Sequence, residues 1–272
     1  MKIHLDENNI YVPDLAEKAQ ISYPDEGNES CFAIEKNSFW FNHRNDVIVQ
    51  LMKKFPFEGN FADIGGGNGY QAGFIKQNFP EKEVFLIEPG YQGCLNATKY
   101  GLRNVYNIPF QDFDFFSNNI GAVGVFDVVE HIKDDVGFLS EISRHVKKGT
   151  YIFMTVPAYN LLWSDTDDHA GHFRRYTSKS IKSLAAKAGI GLAYNGYFMS
   201  YLTLPVFFAR SLPYRIKGKR DNKVILENAL KNHDSGSISK LSLKILNSLE
   251  MAALTNFKRI PFGGSCIAVF KT

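Results

Sequence analysis

The sequence predicts an α/β fold in which short, buried strands alternate with helices around a mainly parallel sheet. Three apolar runs lead directly into the acidic residues Asp63, Glu88 and Asp127. A segment of helical character follows each run, and a glycine-rich turn follows the first. Continuous apolar runs are typical of parallel strands that are buried on both faces, and their alternation with helices places them in one sheet.

The composition is that of a globular domain. The chain has 272 residues, of which 44% are hydrophobic and 22% are charged, enough for one large domain or a domain with an insertion. The net charge of +3 is too small for the concentrated basic surface of a nucleic-acid-binding protein, so no nucleic-acid partner is expected.

The spacing of the cysteines and the first residues of the sequence predict the cellular compartment of the protein. Cys31, Cys94 and Cys266 are far apart and show no C-x-x-C spacing, so neither a disulfide framework nor a zinc site is expected, and no metal is predicted. The residues after Met1 contain no apolar segment typical of a secretory signal. We therefore expect a cytoplasmic protein.

The glycine-rich turn is the strongest functional signal. Asp63 is followed by Gly65, Gly66, Gly67 and Gly69, and then by a helical segment. Glycines permit positive φ and let a ligand approach the backbone, and a helix N-terminus favours negative charge on that ligand. Dinucleotide-binding proteins require G-x-G-x-x-G, whereas the third glycine position here is Tyr70. A nicotinamide-dependent oxidoreductase is therefore disfavoured.

A second acidic residue lies at the distance that a nucleotide-type site requires. The apolar run 84–87 is followed by Glu88 and Pro89, about 20 residues after the glycines. An ionised carboxylate in this position reaches ribose hydroxyls, and it can accept two hydrogen bonds from a vicinal diol. The alternative is a carboxylate that caps the next helix or faces solvent.

These features resemble a known family. The G-x-G-x-G turn with an acid two residues before it resembles motif I of the class I S-adenosylmethionine-dependent methyltransferases. The run 127–134 is similar to the motif after the fourth strand in their small-molecule and lipid-type members. The segment 162–177 is similar to the L-W-S-x-x-D…G-H-x-R-R-Y segment of a branch that often accompanies glycan or lipid biosynthesis. Its motif positions are Trp163, Ser164, Asp167, Gly171, His172, Arg174, Arg175 and Tyr176.

The resemblance implies the architecture. It predicts a Rossmann-like, seven-stranded methyltransferase sheet with helices on both faces, one antiparallel edge strand and a C-terminal helical insertion. The expected divisions are a polar, irregular N-terminal extension (1–37), the cofactor-binding core (38–198), the insertion (199–263) and the final edge strand of the core (264–272).

The resemblance also implies S-adenosylmethionine as cofactor. Asp63 and the glycines would hold its methionine and ribose side, and Glu88 with Pro89 its diol. Asp127 and Val128 would border the amino-acid end, and either Gln111 or Asp112, beside Phe110, would contact the adenine ring. From its side-chain chemistry, Arg44 offers a cation for a carboxylate, and Trp40 could cover the cleft. In the alternative interpretation, Trp40 and Phe41 only attach the N-terminal helix to the sheet.

Two histidines are candidates for catalysis. His131 and His172 could each accept a proton from the acceptor, because the pKa of histidine lies near neutrality. His131 could instead order its loop. For the acceptor we expect contacts from Trp163, Asp167, Arg174, Arg175 and Tyr176, with an arginine binding a carboxylate or phosphate. Alternatively, an ion pair from Asp167 to Arg174 or Arg175 closes the loop internally.

The insertion has two interpretations. The apolar stretch 201–210 contains Pro205 and Arg210 and is shorter than the roughly 20 residues that span a bilayer. Arg215, Lys217, Lys219 and Arg220 follow it. The region 199–220 could contact the inner face of an anionic membrane peripherally. The favoured interpretation is a helical cap or a homodimer face.

The function that the sequence predicts is methyl transfer from S-adenosylmethionine to a small-molecule, glycan-linked or lipid-linked acceptor. The identity of the acceptor is left open, since acceptor pockets are built from loops and insertions. A non-catalytic S-adenosylmethionine-binding or membrane-docking protein is the main alternative.

Overall fold

The residues that the structure describes form a mixed sheet of nine strands, around which the helices pack. The computed structural model describes residues 2–14, 32, 34–218, 237–256 and 259–272. The strands are β1 (Ile3–Leu5), β2 (Tyr11–Pro13), β3 (Asn60–Ile64), β4 (Val84–Ile87), β5 (Asn104–Tyr106), β6 (Ile120–Phe126), β7 (Tyr151–Pro157), β8 (Gly191–Phe198) and β9 (Ser265–Lys271). Their order across the sheet is β1-β2-β5-β4-β3-β6-β7-β9-β8.

The parallel centre of the sheet agrees with the prediction. β5, β4, β3, β6 and β7, in this order across the sheet, pair in parallel with one another. Strands β4 and β6 are buried along nearly their whole length, which explains their continuous apolar runs. The carboxyl ends of β3, β4 and β6 therefore lie at one edge of the sheet, and each is followed by a predicted site residue.

The predicted count of seven strands is wrong, because the N-terminal extension adds two. β1 and β2 form an antiparallel hairpin, and β2 pairs in parallel with β5 through Tyr11 and Tyr106. The two tyrosine rings stack with their centroids 4.4 Å apart. The first residues are thus ordered by the sheet edge, and the irregular conformation predicted for them is also wrong.

The last strand occupies an interior position. β9 pairs antiparallel with β7 on one side and with β8 on the other. It is therefore β8, and not β9, that forms this edge of the sheet. Most of β9 is fully buried, including Phe270, which packs in the core.

The helices connect and cover the strands. They are α1 (Phe39–Lys54), α2 (Tyr70–Asn78), α3 (Tyr91–Lys99), α4 (Asp135–His145), α5 (Asp165–Ala170), α6 (Ser178–Ala188), α7 (Thr203–Val206), α8 (Leu212–Lys217) and α9 (Ser237–Thr255). A π-helical turn, Phe207–Ser211, joins α7 to α8. Helix α1 contacts α2 and α9, whereas α4 contacts α6.

The described residues between β8 and β9 are largely helical, and a buried carboxylate attaches them to the core. Glu250 of α9 lies 2.7 Å from His43 Nε2 of α1, and both side chains are almost fully buried. Glu250 also accepts hydrogen bonds from the backbone N–H groups of Met199 and Ser200, at 2.6 and 2.9 Å. Lys219 and Arg220 lie outside the described residues. No helix in the described part of the chain is long and apolar enough to cross a membrane.

Replacing Glu250 by alanine should destabilise the fold. Burial opposes ionisation of Glu250, but hydrogen bonds from His43 and residues 199–200 outweigh it and lower its pKa. A lowered pKa stabilises the fold above the pKa of the unfolded state, and this stabilisation is lost as the pH falls through the folded value. Chemical denaturation at pH 7 should show Glu250→Ala to be less stable by about 3 kcal/mol, with a smaller difference near pH 4.

The matched control is Glu81→Ala, because Glu81 is an exposed glutamate outside this cluster. Its free energy of unfolding should stay within about 0.5 kcal/mol of the wild type. Equal effects of the two substitutions would contradict the anchoring role of Glu250.

Candidate functional site

The glycine turn between β3 and α2 has no space for side chains. Gly65, Gly67 and Gly69 have φ values of +69°, +51° and +77°. A Cβ atom on Gly66 would lie 2.4 Å from Cδ1 of Leu86, and one on Gly69 would lie 2.6 Å from Cβ of Ala97. The turn therefore packs closely against β4 and α3, which leaves its backbone bare.

Glu88 faces this turn, as the sequence predicts. Its carboxylate accepts hydrogen bonds from the N–H groups of Gly67 at 3.0 Å and Gly90 at 2.7 Å. The amide of Asn107 donates to the backbone oxygens of Glu88 and Pro89, at 3.1 and 2.9 Å. The loop after β4 is thereby fixed with its acidic side chain directed at the backbone of the glycine turn.

Asp63 is a buried carboxyl at the end of β3. Its exposed fraction is 1%, and within the described residues neither of its side-chain oxygens has a hydrogen-bond partner. Burial raises the pKa of Asp63 to about 8, although the positive charge of Arg44 opposes the shift. In the ligand-free protein this group is therefore largely protonated at neutral pH, and it can gain charge when a cation approaches.

Arg44 connects helix α1 to the end of β6. Its guanidinium forms a hydrogen-bonded ion pair with Asp127 and is 3% exposed. It lies 4.8 Å from the ring centroid of Trp40 and 4.9 Å from that of Phe41. These contacts place the rings of Trp40 and Phe41 around the guanidinium that pairs with Asp127.

The loop after β6 touches the glycine turn. Asp127 has a positive φ of 55°, and its Oδ1 accepts a hydrogen bond from Thr155 at 3.2 Å. A Cβ atom on Gly65 would lie 2.8 Å from Cγ2 of Val128. Gln111 is placed differently: it is exposed, and its amide donates to Glu141 at 3.2 Å. The structure thus brings Asp127 and Val128 to the turn, while Gln111 is directed toward α4.

The predicted histidines meet next to this loop. The rings of His131 and His172 lie edge to face, with their centroids 4.6 Å apart. Nδ1 of His172 lies 2.8 Å from Oδ1 of Asp167. Burial, with a smaller contribution from His172, lowers the pKa of His131 to about 4. His131 is therefore neutral at physiological pH and a weak proton acceptor, whereas Asp167 orients the ring of His172.

Glu130 belongs to the same cluster. Its place after β6 predicts that it lies where ligands bind in a parallel sheet, but the sequence predicts no specific role for it. It is 1% exposed, and burial together with the charge of Asp127 raises its pKa well above the usual value. Its Oε2 has no hydrogen-bond partner in the part of the chain that the structure describes. The available signal was its position in the polar run that follows β6.

The predicted acceptor-binding residues form an internally bonded loop. Asp167 accepts hydrogen bonds from Arg175 Nε at 2.7 Å and Nη2 at 2.9 Å. Although burial opposes it, the hydrogen bonds from His172 and Arg175 lower the pKa of Asp167. The indole of Trp163 donates to Asp168 at 2.9 Å. The ion-paired alternative from the sequence is therefore the arrangement that the structure shows for Arg175.

Arg174 and Tyr176 are engaged with the segment after β6. Arg174 donates to the backbone oxygens of Ile132 at 2.9 Å and Lys133 at 2.7 Å, and it pairs with Asp135 at 3.0 Å. The buried hydroxyl of Tyr176 donates to Asp135 at 2.8 Å. These bonds hold the loop 160–176 against the loop after β6, and so keep His172 beside His131.

Solved structures with a similar fold are methyltransferases. Phosphoethanolamine N-methyltransferase 2 of Haemonchus contortus, in complex with S-adenosyl-L-methionine, matches with a TM-score of 0.53 and 18% identity over 93% of this chain and 58% of that chain. This chain thus spans less than two thirds of the length of that enzyme. A putative methyltransferase in complex with the Haloferax volcanii Trm112 activator has a TM-score of 0.53 and 14% identity, covering 91% and 93% of the two chains.

The plantazolicin methyltransferase BpumL, in complex with SAH, has a TM-score of 0.54 and 11% identity, covering 91% of this chain and 90% of that chain. No curated protein sequence matches this chain. A family model described as a methyltransferase domain matches residues 39–192, which is more than half of the chain. The chain therefore belongs to the methyltransferase domain family.

Proposed function

We propose that this protein transfers a methyl group from S-adenosylmethionine to an oxygen or nitrogen atom of a small-molecule, glycan-linked or lipid-linked acceptor. The observation that carries the proposal is the bare glycine turn, which Glu88 faces and beneath which Asp63 is buried without a hydrogen-bond partner among the described residues. Carboxylates in these two positions suit a ligand that combines ribose hydroxyls with positive charge.

The residues present fit this cofactor. Glu88 would accept hydrogen bonds from the ribose diol, and the turn at Gly65–Gly69 would contact the ligand through its backbone. Asp63 would be stabilised as a carboxylate by a nearby cation, which removes the penalty of burying an unpaired charge. Asp127, Val128 and the Arg44 guanidinium would border the amino-acid end. Bound S-adenosylmethionine supplies an activated methyl group on its sulfonium.

The protein itself must orient the acceptor and accept the proton that the acceptor loses. His172 is the better candidate for a general base, because Asp167 fixes its ring and its Nδ1, which leaves Nε2 for the acceptor. The low pKa of His131 makes it a weaker base. Arg174 and Arg175 would act on the acceptor chiefly by holding the loop in place, since their hydrogen bonds are directed within the protein.

The glycan- or lipid-linked acceptor class rests on the resemblance of the loop 162–177 to methyltransferases of glycan and lipid biosynthesis, and the location rests on the cysteine pattern. Exposed apolar side chains on the insertion, including Leu204, Phe208 and Ile216, support contact with a membrane surface or a second copy. We infer a cytoplasmic enzyme whose acceptor approaches past this insertion.

Release of S-adenosylhomocysteine tests the activity. The wild-type chain, incubated with S-adenosylmethionine and a panel of sugar, amine and lipid acceptors, should form this product in the presence of at least one acceptor class. Binding of the cofactor without turnover on any of them would favour a non-catalytic binding protein.

Substitution of Glu88 should weaken cofactor binding. Because Glu88→Ala removes hydrogen bonds to a charged group, we expect a loss of about 1.5–3 kcal/mol, or about 10- to 150-fold in Kd. Glu88→Gln keeps the shape of the side chain and should have an intermediate effect. Isothermal titration calorimetry with S-adenosylmethionine measures the Kd of both variants. Glu83→Ala is the matched control, since Glu83 lies just before the same strand and is exposed; wild-type affinity in Glu88→Ala would refute the assignment.

The pKa of Asp63 predicts a pH-dependent stability. With a folded value of about 8, the carboxyl binds its proton more tightly in the folded state than in the unfolded state. Its contribution to stability therefore falls as the pH rises from about 4 to 8, by at most about 1.4 kcal/mol per pH unit. Asp63→Asn cannot ionise, so its free energy of unfolding should increase relative to the wild type over this range. If the difference in free energy of unfolding between Asp63→Asn and the wild type is constant between pH 5 and 8, Asp63 is ionised in the folded protein and the assignment is wrong.

A further inference from the structure

Glu130, His131 and His172 form a cluster whose composition goes beyond what a general base requires. One potential ligand atom from each side chain lies within 4.8 Å of the others. Within the described part of the chain, this is the one group of three acidic, histidine or cysteine residues arranged in this way. The cluster joins the loop after β6 to the loop after α5.

The carboxylate of Glu130 has no function in a simple base mechanism. It is 1% exposed, and its Oε2 forms no hydrogen bond to any residue that the structure describes. A buried polar atom without a partner is unfavourable by a few kcal/mol, so native proteins rarely keep one without a reason. A bound cation would satisfy this oxygen.

The second histidine is oriented as a metal ligand usually is. Nδ1 of His172 is bonded to Asp167, so its Nε2 is directed elsewhere. Asp167 is itself held by Arg175 and by the backbone N–H of Ser164, at 2.9 Å. A carboxylate that fixes the far nitrogen of a histidine sets its tautomer and raises its basicity toward a metal ion.

We propose that Glu130, His131 and His172 bind a divalent transition-metal ion of the Zn²⁺ class at the carboxyl end of β6. Two imidazoles and one carboxylate are a ligand set of catalytic zinc sites, which keep a further coordination position open. In a tetrahedral site with ligand distances of about 2.1 Å, the ligand atoms lie about 3.4 Å apart. Small side-chain rotations bring groups that start within 4.8 Å of one another to that spacing.

The ion would lie next to the cofactor turn, because Val128, two residues before Glu130, contacts Gly65. Its open position suits an oxygen or nitrogen atom of the acceptor, which a cation of this class polarises. With the ion bound, Nε2 of His172 is a metal ligand, and polarisation by the ion takes the place of the general base described above. That role rests on the proposed methyl transfer, whereas binding of the ion does not.

Metal binding by the full chain, without cofactor, tests the proposal. The protein is treated with EDTA, dialysed against Zn²⁺ and assayed for bound metal, and a parallel sample is titrated with Co²⁺ to record its visible absorption. We expect one ion per chain in the wild type. His172→Ala and Glu130→Gln should weaken binding by at least about 100-fold, since removing a ligand should cost no less than removing a group that orients one.

His169→Ala is the matched control, because His169 is an exposed histidine three residues from His172 and outside the cluster. It should bind the ion like the wild type. Glu130→Gln keeps the side-chain shape and decides the result if His172→Ala does not fold. A wild type that binds no ion, or equal binding by His169→Ala and Glu130→Gln, overturns the proposal. Methyl transfer at the wild-type rate by a chain without bound metal would refute the polarising role of the ion and leave the proposed function intact.

Discussion

The close packing of the glycine turn is the constraint on which the site depends. Leu86 of β4 and Ala97 of α3 fill the space that side chains at Gly66 and Gly69 would need. The turn can therefore approach β4 closely enough for Glu88 to accept a hydrogen bond from the backbone of Gly67. The exclusion of side chains from the turn thus leaves its backbone bare and also allows the Glu88 carboxylate to lie over that backbone.

Buried polar groups surround this turn, and they differ in how well they are paired. Arg44 pairs with Asp127 through one nitrogen of its guanidinium, and Asp167 is surrounded by donors from Arg175, His172 and Ser164. Asp63 and Glu130 instead bury carboxyl oxygens that have no partner among the described residues. Burial without a partner disfavours the fold by a few kcal/mol per group. The two groups lie after adjacent strands, where ligands bind in parallel sheets, so a ligand bound there would offset this penalty.

Local sequence patterns predict most of the fold and part of the site. The buried strands β3, β4 and β6 and the glycine turn are encoded by short apolar runs and by glycines, so they could be predicted. The pairing of β2 with β5 could not, because three-residue strands have no periodicity to detect and their contacts are distant in sequence. The position of β9 between β7 and β8 is likewise a property of the whole sheet.

At the cluster that follows β6, too, some features could be predicted from the sequence and others could not. Asp127 and His131 were identified from their place after a strand, yet the partners of His172 depend on how the loop 160–176 folds. Arg175 could have bound an acceptor or Asp167, and only the three-dimensional arrangement shows that it donates to Asp167. The proximity of Glu130 and His172 joins positions far apart in sequence, which residue patterns alone do not reveal.

The interior position of β9 has a consequence for synthesis of the chain. On the ribosome, residues 191–198 emerge well before residues 265–271, but the described strand pairings give β8 a partner only in β9. Until β9 has emerged, the nascent sheet ends at β7, whose free backbone groups could pair with other chains. The domain can complete its sheet only after nearly all of its residues have left the exit tunnel, which makes chaperone protection of this temporary edge valuable during translation.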